Sequence, residues 1–357
     1  MNRREKVLAV IRREHDRYIP YTFSFTPRRQ KKFHDEFYEW NYQAVFNLPY
    51  QFVHRIYNGD VPDWNDYYEP KEVTHDHYFD EFGVGRLRSD FFNLNYLISP
   101  LKHASIQDIE RYPFPNPNSY NWSDCTDHRN EIVSHDGVPV GFLAMTLFET
   151  GWTLRGYNQW LKDIEKQSLI FYQIMDILTA LRVEEAIHLA KVGVDVLHIG
   201  DDVADENGVL FDPAIWRAEF KPRMAKIIQA AKQIKPDLLI EYHGEGNLVD
   251  IIPDLIEIGV DMLNPIEPES VDPFTLKERF GNQLSFRGGL SIATTLPHGT
   301  EEDVRTQTLE LMKKMGKGGG FLLSPTQSID INVPWNNFEM FLKTVISYNR
   351  TMKNERK

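Results

Sequence analysis

Apolar runs and helical patterns alternate along the second half of the chain. Runs of four to eight apolar residues, bounded by polar or glycine-rich turns, are typical of strands buried on both faces of a parallel sheet. The stretches between these runs carry apolar residues at helical spacing, which predicts a helix after most strands. Six runs are predicted as strands, at residues 138–145, 194–199, 238–242, 262–265, 284–287 and 320–324.

Several residues mark the ends of the predicted helices. Apolar residues recur at positions i, i+3, i+4 and i+7 within residues 174–181 and again within 224–231. Gly193 and Gly259 follow helical patterns, and glycine is the usual residue just past the end of a helix. Thr300 precedes three acidic residues, and this order predicts a capped helix start.

This long train of βα units predicts the fold class. No linker or shift in composition divides it, so we predict an α/β protein with a single (β/α)8 TIM barrel domain over residues 1–357. A doubly wound sheet is the alternative, but its Gly-x-Gly-x-x-Gly turn after an early strand is not seen. The glycine-rich residues 316–320 precede a strand, which favours a permissive turn over a nucleotide-binding loop.

The first third of the chain has a weaker pattern. Residues 1 to about 20 are predicted as one helix that stops at Pro20, and residues 21–26 alternate as a first strand should. Residues 31–120 are interpreted as an aromatic-rich N-terminal extension or insertion that covers one end of the fold. Within them, residues 112–117 are a proline-rich connector.

Composition narrows the class of protein. The chain has 357 residues, 40 Lys and Arg against 52 Asp and Glu, and a formal net charge of -12. The acidic balance and the lack of a basic run argue against nucleic acid as the partner. A single cysteine, Cys125, excludes an internal disulfide and a zinc site made of several thiolates. No apolar stretch has a signal-peptide or membrane-span pattern, so we expect a cytoplasmic protein.

Polar side chains collect where the predicted strands end. In a barrel these ends meet at one face, which carries the active site. A catalytic role is predicted for Glu149, Asp202, Glu245 and Arg287. Substrate contacts are predicted for Asp201, Asn264, Glu267, Trp152 and Phe25.

Some of these residues also have a structural interpretation. Asp201 and Asp202 could cap the next helix, which is a usual role of aspartate in βα loops. Arg287 could form a structural ion pair with Glu267 or Asp202. His198, inside an apolar run, is interpreted as a hydrogen-bonded core histidine.

Residues 241–247, Glu-Tyr-His-Gly-Glu-Gly-Asn, are central among the strand ends. His243 and Glu245 are two positions apart, so they can face the same ligand if the strand continues through them. The flanking glycines allow a sharp turn or a close approach by that ligand. The alternative is a glycine-rich turn in which Glu245 is solvated and His243 is hydrogen bonded.

Several short motifs along the chain match one known family in order and spacing. Over residues 138–350 the chain resembles the uroporphyrinogen decarboxylase superfamily, which includes zinc-dependent methyltransferases that act with corrinoid proteins or coenzyme thiols. This resemblance implies a (β/α)8 barrel. The motifs are Gly193-Val194-Asp195, Gly200-Asp201-Asp202, Tyr242-His243, Gly246-Asn247, residues 258–265, residues 286–290, residues 296–300, Gly319-Gly320-Phe321 and Ser324-Pro325-Thr326, with weaker matches at residues 80–83, 148–152 and Arg155-Gly156.

One departure from the family pattern bears on the decarboxylase activity. The decarboxylases carry an Arg-Gln-Ala-Gly-Arg-Tyr segment after the first strand, whose guanidiniums hold the carboxylates of the porphyrinogen. Residues 23–30 here read Phe-Ser-Phe-Thr-Pro-Arg-Arg-Gln. A substrate with many carboxylates needs several bidentate cations, so this difference weakens the decarboxylase hypothesis, which only Arg28 and Arg29 still support.

The second departure concerns the metal. The methyltransferases bind zinc through a His-x-Cys pair and a further Cys on the last strand. His243 matches the histidine, Glu245 stands at the first cysteine and Gln327 lies near the second. The resemblance therefore implies a metal site of His243, Glu245 and Gln327, with zinc or another divalent ion on nitrogen and oxygen ligands. Asp202, Glu149 or Glu267 could complete the site.

Three functional hypotheses follow from these residues. The first is a methyltransferase that carries out metal-assisted methyl transfer or O-demethylation of a small substrate, with a corrinoid protein or similar carrier as partner. The second is a metal-free decarboxylase in which Asp202 or Glu245 donates a proton and Arg287 holds a carboxylate. The third is a catalytically silent barrel that binds a ligand. Like many barrels, the chain could associate as a homodimer.

Overall fold

The computed structural model describes residues 1–69, 71–74, 76–87 and 97–354. Its strands are β1 (Tyr50–Val53), β2 (His77–Phe79), β3 (Gly85–Leu87), β4 (Leu97–Ile98), β5 (Val138–Ala144), β6 (Val196–Gly200), β7 (Ala204–Asp205), β8 (Gly208–Val209), β9 (Leu239–His243), β10 (Met262–Ile266), β11 (Ser285–Leu290) and β12 (Phe321–Pro325).

The α-helices are α1 (Arg3–Ile11), α2 (Pro27–Phe37), α3 (Tyr42–Val45), α4 (Ile106–Arg111), α5 (Trp122–Ser134), α6 (Phe148–Arg155), α7 (Tyr157–Glu165), α8 (Leu169–Val192), α9 (Pro213–Ile215), α10 (Lys221–Ile234), α11 (Ile252–Glu257), α12 (Pro273–Phe280), α13 (Thr295–His298), α14 (Glu301–Met315) and α15 (Trp335–Asn354). Single turns of 3₁₀-helix lie at Trp64–Tyr67 and Pro117–Ser119, and Trp216–Phe220 forms a π-helical turn that leads into α10.

Seven parallel strands form the main sheet. Their order is β1-β5-β6-β9-β10-β11-β12, and neighbouring strands are joined by crossovers that contain helices, as a parallel sheet requires. All six strands predicted in the second half are confirmed, with boundary shifts of one or two residues except at the end of β11, which lies three residues further on. Because the strands are parallel, their carboxyl ends, where the predicted site residues lie, share one edge of the curled sheet.

The predicted (β/α)8 barrel is matched in part. The described residues form an α/β fold with seven strands in the parallel sheet. The predicted strand at residues 21–26 makes only two isolated parallel bridges, Tyr21 with Leu323 and Phe25 with Ile329. It runs beside β12 and its Thr22 hydroxyl donates to the carbonyl of Tyr50 on β1 at 3.3 Å. The eighth position is therefore lined by a segment that is not a continuous strand.

The first helix is shorter than predicted. It ends at Ile11, far before Pro20. Arg13 has a φ of 63°, and the amide of Glu14 donates back to the carbonyl of Ala9, which together close the helix in the manner of a left-handed cap. The predicted start of a helix at Thr300 is confirmed, since Thr300 and Asp303 form a capping box at the beginning of α14.

Residues 31–120 serve two parts of the structure. Residues 50–53 form the edge strand β1 of the main sheet. The strands β2, β3 and β4 form a separate antiparallel sheet, whose turn at residues 80–84 packs near the carboxyl ends of β1 and β5. Residues 70, 75 and 88–96 of this stretch lie outside the described residues.

The core lies between the sheet and the surrounding helices. Large fully buried side chains such as Trp160, Phe171, Phe286 and Phe338 fill it, and such burial of aromatic area is the main favourable term in folding. No helix within the described residues is both long and apolar enough to span a membrane.

Candidate metal centre

Three side chains with metal-binding atoms converge at the carboxyl ends of β6 and β9. His243 is the last residue of β9, Asp202 follows β6, and Glu245 follows β9. One ligand atom from each lies within 4.8 Å of the other two, and Nε2 of His243 is 3.8 Å from Oδ1 of Asp202. All three residues are half-buried. We refer to them below as the metal trio.

Glycine and backbone hydrogen bonds bring the two strand ends together. A Cβ atom on Gly200 would lie 2.0 Å from the carbonyl oxygen of His243, so no other residue permits this approach. The amide of Glu245 donates to Oδ1 of Asp202 at 2.9 Å. The loop after β9 is thus fixed to the loop after β6, which places Glu245 beside Asp202.

Hydrogen bonds determine which ring nitrogen of His243 faces Asp202. Nη2 of Arg287 donates to Oδ1 of Asn264 at 2.6 Å. Because a guanidinium can only donate, the amide atom facing it is the oxygen. The same oxygen lies 2.9 Å from Nδ1 of His243, so Nδ1 is the donor in this contact and Nε2 is the nitrogen that faces Asp202. This arrangement is the usual one for a histidine that binds a metal.

A buried charge network lies beneath His243. Glu241 is fully buried and accepts from Nε of Arg287 at 2.6 Å. Nδ1 of the buried His198 lies 2.5 Å from the other oxygen. Burial works to raise the pKa of Glu241, but Arg287 and His198 outweigh burial and hold that pKa well below its ordinary value. Glu241 is therefore a carboxylate whose charge is matched inside the sheet.

Asp201 and Glu149 join the trio to α6. The carboxylate of Asp201 accepts from the amides of Leu147 and Glu149 at about 3 Å, which caps the first turn of α6. Burial raises the pKa of Asp201 to about 6. Burial and the nearby Asp202 raise the pKa of Glu149 to about 9, and an oxygen of Glu149 is 3.4 Å from the amide of Asp202.

Glu245 lies in the same acidic surroundings. Burial raises its pKa to about 7, with further contributions from Asp202 and Glu267. The side-chain amide of Gln327 donates to Glu245, and Glu267 accepts from the amide of Gly246 at 3.1 Å. Within the described part of the chain, no lysine or arginine lies within ion-pairing distance of Glu149, Asp202, Glu245 or Glu267.

Comparison with known proteins assigns the chain to a family. Residues 130–348, more than half of the chain, match the family model described as "Uroporphyrinogen decarboxylase (URO-D)". The chain belongs to the uroporphyrinogen decarboxylase family. The stretch matched includes every residue of the metal trio and all strands of the main sheet except β1, so the predicted resemblance is confirmed.

One solved structure shares the fold over nearly the whole chain. A methyltransferase from Methanosarcina mazei aligns with a TM-score of 0.68 and 17% identity, over 99% of each chain. A B12-independent methionine synthase from a Shewanella species aligns with a TM-score of 0.42 and 13% identity over 64% of this chain and 67% of that chain. No curated protein matches the sequence significantly. At 17% identity the likeness to the Methanosarcina mazei methyltransferase concerns the fold alone.

Arg287 and Gln327 contact other residues of this site. The structural alternative for Arg287 was an ion pair with Glu267 or Asp202, but Arg287 pairs with Glu241 and donates to Asn264. Gln327 turns its side-chain NH₂ group toward Glu245, and its role as a metal ligand stays a prediction. Both residues therefore hold other site residues in place.

Two of the predicted substrate contacts lie in packed surroundings. Phe25 is buried against Tyr42, with ring centroids 4.5 Å apart, and against Phe33 and Phe338. Trp152 lies on α6 with its ring 5.9 Å from that of Tyr157. Among the other predicted residues, Glu149 and Asn264 are hydrogen bonded to the metal trio, whereas Asp201 and Glu267 are hydrogen bonded to the neighbouring backbone. Neither aromatic residue has a hydrogen bond or ring contact to the trio among the described residues.

Sequence reasoning overlooked Glu241. A carboxylate inside the apolar run of β9 is costly to bury without a partner, and it shares the strand face of His243 because the two are two residues apart. A carboxylate inside an apolar run, on the same strand face as His243, indicates a buried ion pair beneath the site. His198 was interpreted correctly as a hydrogen-bonded core histidine.

Proposed function

We propose that this family member is a methyltransferase that carries out metal-assisted methyl transfer or O-demethylation of a small substrate. The observation that carries the proposal is the metal trio, in which one imidazole nitrogen and two carboxylates converge. Such a donor set fits zinc or a similar divalent ion. When bound, the ion would supply Lewis-acid polarisation of an oxygen atom on the substrate.

The surrounding residues have defined tasks in this proposal. Asn264 and Arg287 keep Nε2 of His243 available, and Gln327 orients Glu245. Glu149 is the candidate acid that gives a proton to the oxygen released when the methyl group leaves. Asp201 holds the first turn of α6, and so the backbone of Glu149, in position. Glu267 fixes the loop after β9 through the amide of Gly246.

The methyl acceptor is proposed to be a corrinoid carried by a partner protein, or a similar carrier. Membership of the family and the shared fold of the Methanosarcina mazei methyltransferase support this direction. The acceptor takes the methyl group as the carbon–oxygen bond breaks, and the proton from Glu149 completes the alcohol product. A cytoplasmic location and a homodimer are part of the proposal.

One observation disfavours the metal-free decarboxylase. That reaction needs a guanidinium at the mouth to hold a substrate carboxylate, and Arg287 was the predicted group. Arg287 already donates to both oxygens of Glu241 and to Asn264. Freeing it for a substrate would leave Glu241 buried with a weakened partner, which is costly. Activity that persists after exhaustive chelation would support the decarboxylase instead.

Metal binding is expected to release protons near neutral pH. The pKa of Glu245 is raised to about 7 in the metal-free chain, and a ligand carboxylate must be deprotonated to bind a cation. Release should be greatest below pH 7 and should decline as the pH rises above about 7, where Glu245 has already lost its proton. Calorimetry of zinc binding in buffers of different ionisation enthalpy measures it. An absence of release at pH 6 would contradict the role of Glu245.

Replacing Glu149 by glutamine is expected to slow methyl transfer while leaving metal bound. Loss of a general acid typically costs roughly 10²- to 10⁴-fold in rate, and glutamine keeps the size of the side chain. The rate is measured with a saturating methyl acceptor and the metal by elemental analysis. Glu165→Gln, at an exposed position on α7, is the matched control. Loss of metal in E149Q would make Glu149 a metal ligand and would contradict the assignment.

A further inference from the structure

Two cations lie at the opposite end of the sheet from the metal trio. Arg13 follows the end of α1, and Lys277 belongs to α12. Nη1 of Arg13 donates at 2.8 Å to the hydroxyl of Ser285, the first residue of β11. Nζ of Lys277 donates at 2.6 Å to the carbonyl of Gly319, which shortly precedes β12. We call Arg13 and Lys277 the basal cations, because they lie at the amino ends of the strands whereas the trio lies at the carboxyl ends.

The glycine-rich loop before β12 contacts both basal cations. Its residues Gly318, Gly319 and Gly320 have φ values of 74°, 76° and 70°, in the left-handed region that favours glycine. A Cβ atom on Gly319 would lie 3.1 Å from Cα of Arg13, and one on Gly320 would lie 2.9 Å from Cγ of Arg13. A Cβ atom on Gly318 would meet no atom within 4 Å. The loop is therefore packed against the cations at Gly319 and open at Gly318.

Neither basal cation forms an ion pair with a carboxylate of the described residues. Both side chains are half-buried. Nε and Nη2 of Arg13 are accessible to solvent and donate to no described residue. Lys277 has three N–H donors, of which one is given to Gly319. Burial, and then the charge of Arg13, lower the pKa of Lys277 to about 8. The fold thus holds two like charges close together, with donors left over for a ligand.

A phosphate group suits this combination of donors. It carries about two negative charges at neutral pH, which match the two cations, and its several oxygens can accept from both cations at once. A monocarboxylate would leave one of the two positive charges unmatched. The glycines of the loop place no side chain in the way of such a ligand.

We propose that the basal cations and the glycine-rich loop at residues 316–320 form a binding site for a phosphate group. The site is independent of the proposed methyltransferase, since it lies at the other end of the sheet from the metal trio. Free phosphate and the phosphate group of a larger ligand share this chemistry, and two probes distinguish them.

Calorimetry on the full-length protein, at constant ionic strength, tests the site with inorganic phosphate. We expect Lys277→Met to weaken phosphate binding at least about ten-fold, the usual effect of losing a charge-assisted hydrogen bond. Lys277→Arg should keep most of the affinity because it keeps the cation. Lys226→Met, at an exposed position on α10, is the matched control. Glycerol 3-phosphate is the second probe. If it binds more tightly than inorganic phosphate, the ligand is a larger phosphorylated molecule, and the reverse order identifies free phosphate.

A second measurement needs no variant. Acetic anhydride acetylates the unprotonated amine of a lysine, and near the pKa of Lys277, about 8, much of this amine is unprotonated. We expect phosphate to protect Lys277 from acetylation, because a bound anion favours the protonated amine and covers it. The exposed Lys226 should be acetylated equally with and without phosphate. Mass spectrometry of peptides from the modified protein measures the extent at each lysine.

Four results would overturn the proposal. They are an absence of phosphate binding, equal phosphate affinity in the wild type and a folded Lys277→Met variant, equal affinity for acetate and phosphate, and acetylation of Lys277 that phosphate leaves unchanged. Circular dichroism shows whether the variant is folded. None of these results depends on metal content or methyl transfer, so failure of the phosphate site and failure of the proposed function are distinguishable.

Discussion

Replacing His243 by alanine is expected to abolish both metal binding and methyl transfer. His243 supplies the only nitrogen of the metal trio. Its loss would leave only the carboxylates of Asp202 and Glu245 to bind the ion. Loss of a group that merely orients a metal ligand already costs roughly 10- to 100-fold in metal affinity, so loss of the ligand itself should cost at least about 100-fold. Elemental analysis of the purified protein and a methyl-transfer assay measure the two effects.

The control for this experiment is another histidine. His298, exposed at the end of α13, is changed to alanine in parallel, and we expect no change in metal content. Far-ultraviolet circular dichroism shows whether H243A keeps its fold. A folded H243A protein with full metal content and full turnover would refute the metal centre and, with it, the proposed methyltransferase.

Replacing Arg287 by methionine is expected to destabilise the protein by about 3–5 kcal/mol, the usual effect of leaving one partner of a buried ion pair alone. Glu241, fully buried, would lose the cation that holds its pKa low. Asn264 would also lose a donor, so His243 would be oriented less firmly and metal affinity should fall as well. Urea unfolding measures the free energy of unfolding.

The pH dependence of this effect has a definite sign. The pKa of Glu241 lies below its ordinary value, so the ion pair stabilises the protein above pH of about 4.3 and its contribution fades as the pH falls below that. The penalty of R287M should therefore be smaller at pH 3.5 than at pH 7.

Two further variants distinguish the stability lost by breaking the buried ion pair from the stability lost by removing one charge. The double variant R287M/E241M removes both charges and should recover part of the lost stability, as apolar replacements of buried pairs often do. Arg305→Met breaks the exposed pair with Glu302 on α14, and we expect less than about 1 kcal/mol. Equal penalties for Arg287 and Arg305 would show that the buried network is energetically unimportant.

Much of the fold could be predicted from the sequence because the strands of a parallel sheet are apolar on both faces. The runs at β5, β6, β9, β10, β11 and β12 stand out for that reason. β1 was overlooked within residues 31–120, since its four residues are flanked by aromatic and polar residues without a period. The early end of α1 depends on the left-handed backbone conformation of Arg13, which no pattern of side chains predicts.

The positions of Asp202, His243 and Glu245 at the strand ends were predictable from the sequence. The hydrogen-bond and ion-pair partners around them were less predictable. The rule that barrel chemistry collects at the carboxyl ends of strands identified Asp202, His243 and Glu245. Which residue pairs with Arg287 depends on the register between β9 and β11, two strands apart in the sheet, and sequence does not contain that register. The packing of residues 80–86 over the end of β5 is a long-range contact that no local pattern encodes.

The alternation of side chains along β9 ties two properties of the protein together. Residues 241 and 243 point the same way, one into the charge network and the other toward the metal trio. Arg287 donates to Glu241 and to Asn264, and Asn264 in turn contacts His243. Lineages of this family should therefore change these positions as a set. Where arginine at 287 has been lost, we expect the glutamate at 241 to have been lost too, and the histidine at 243 to be free to vary.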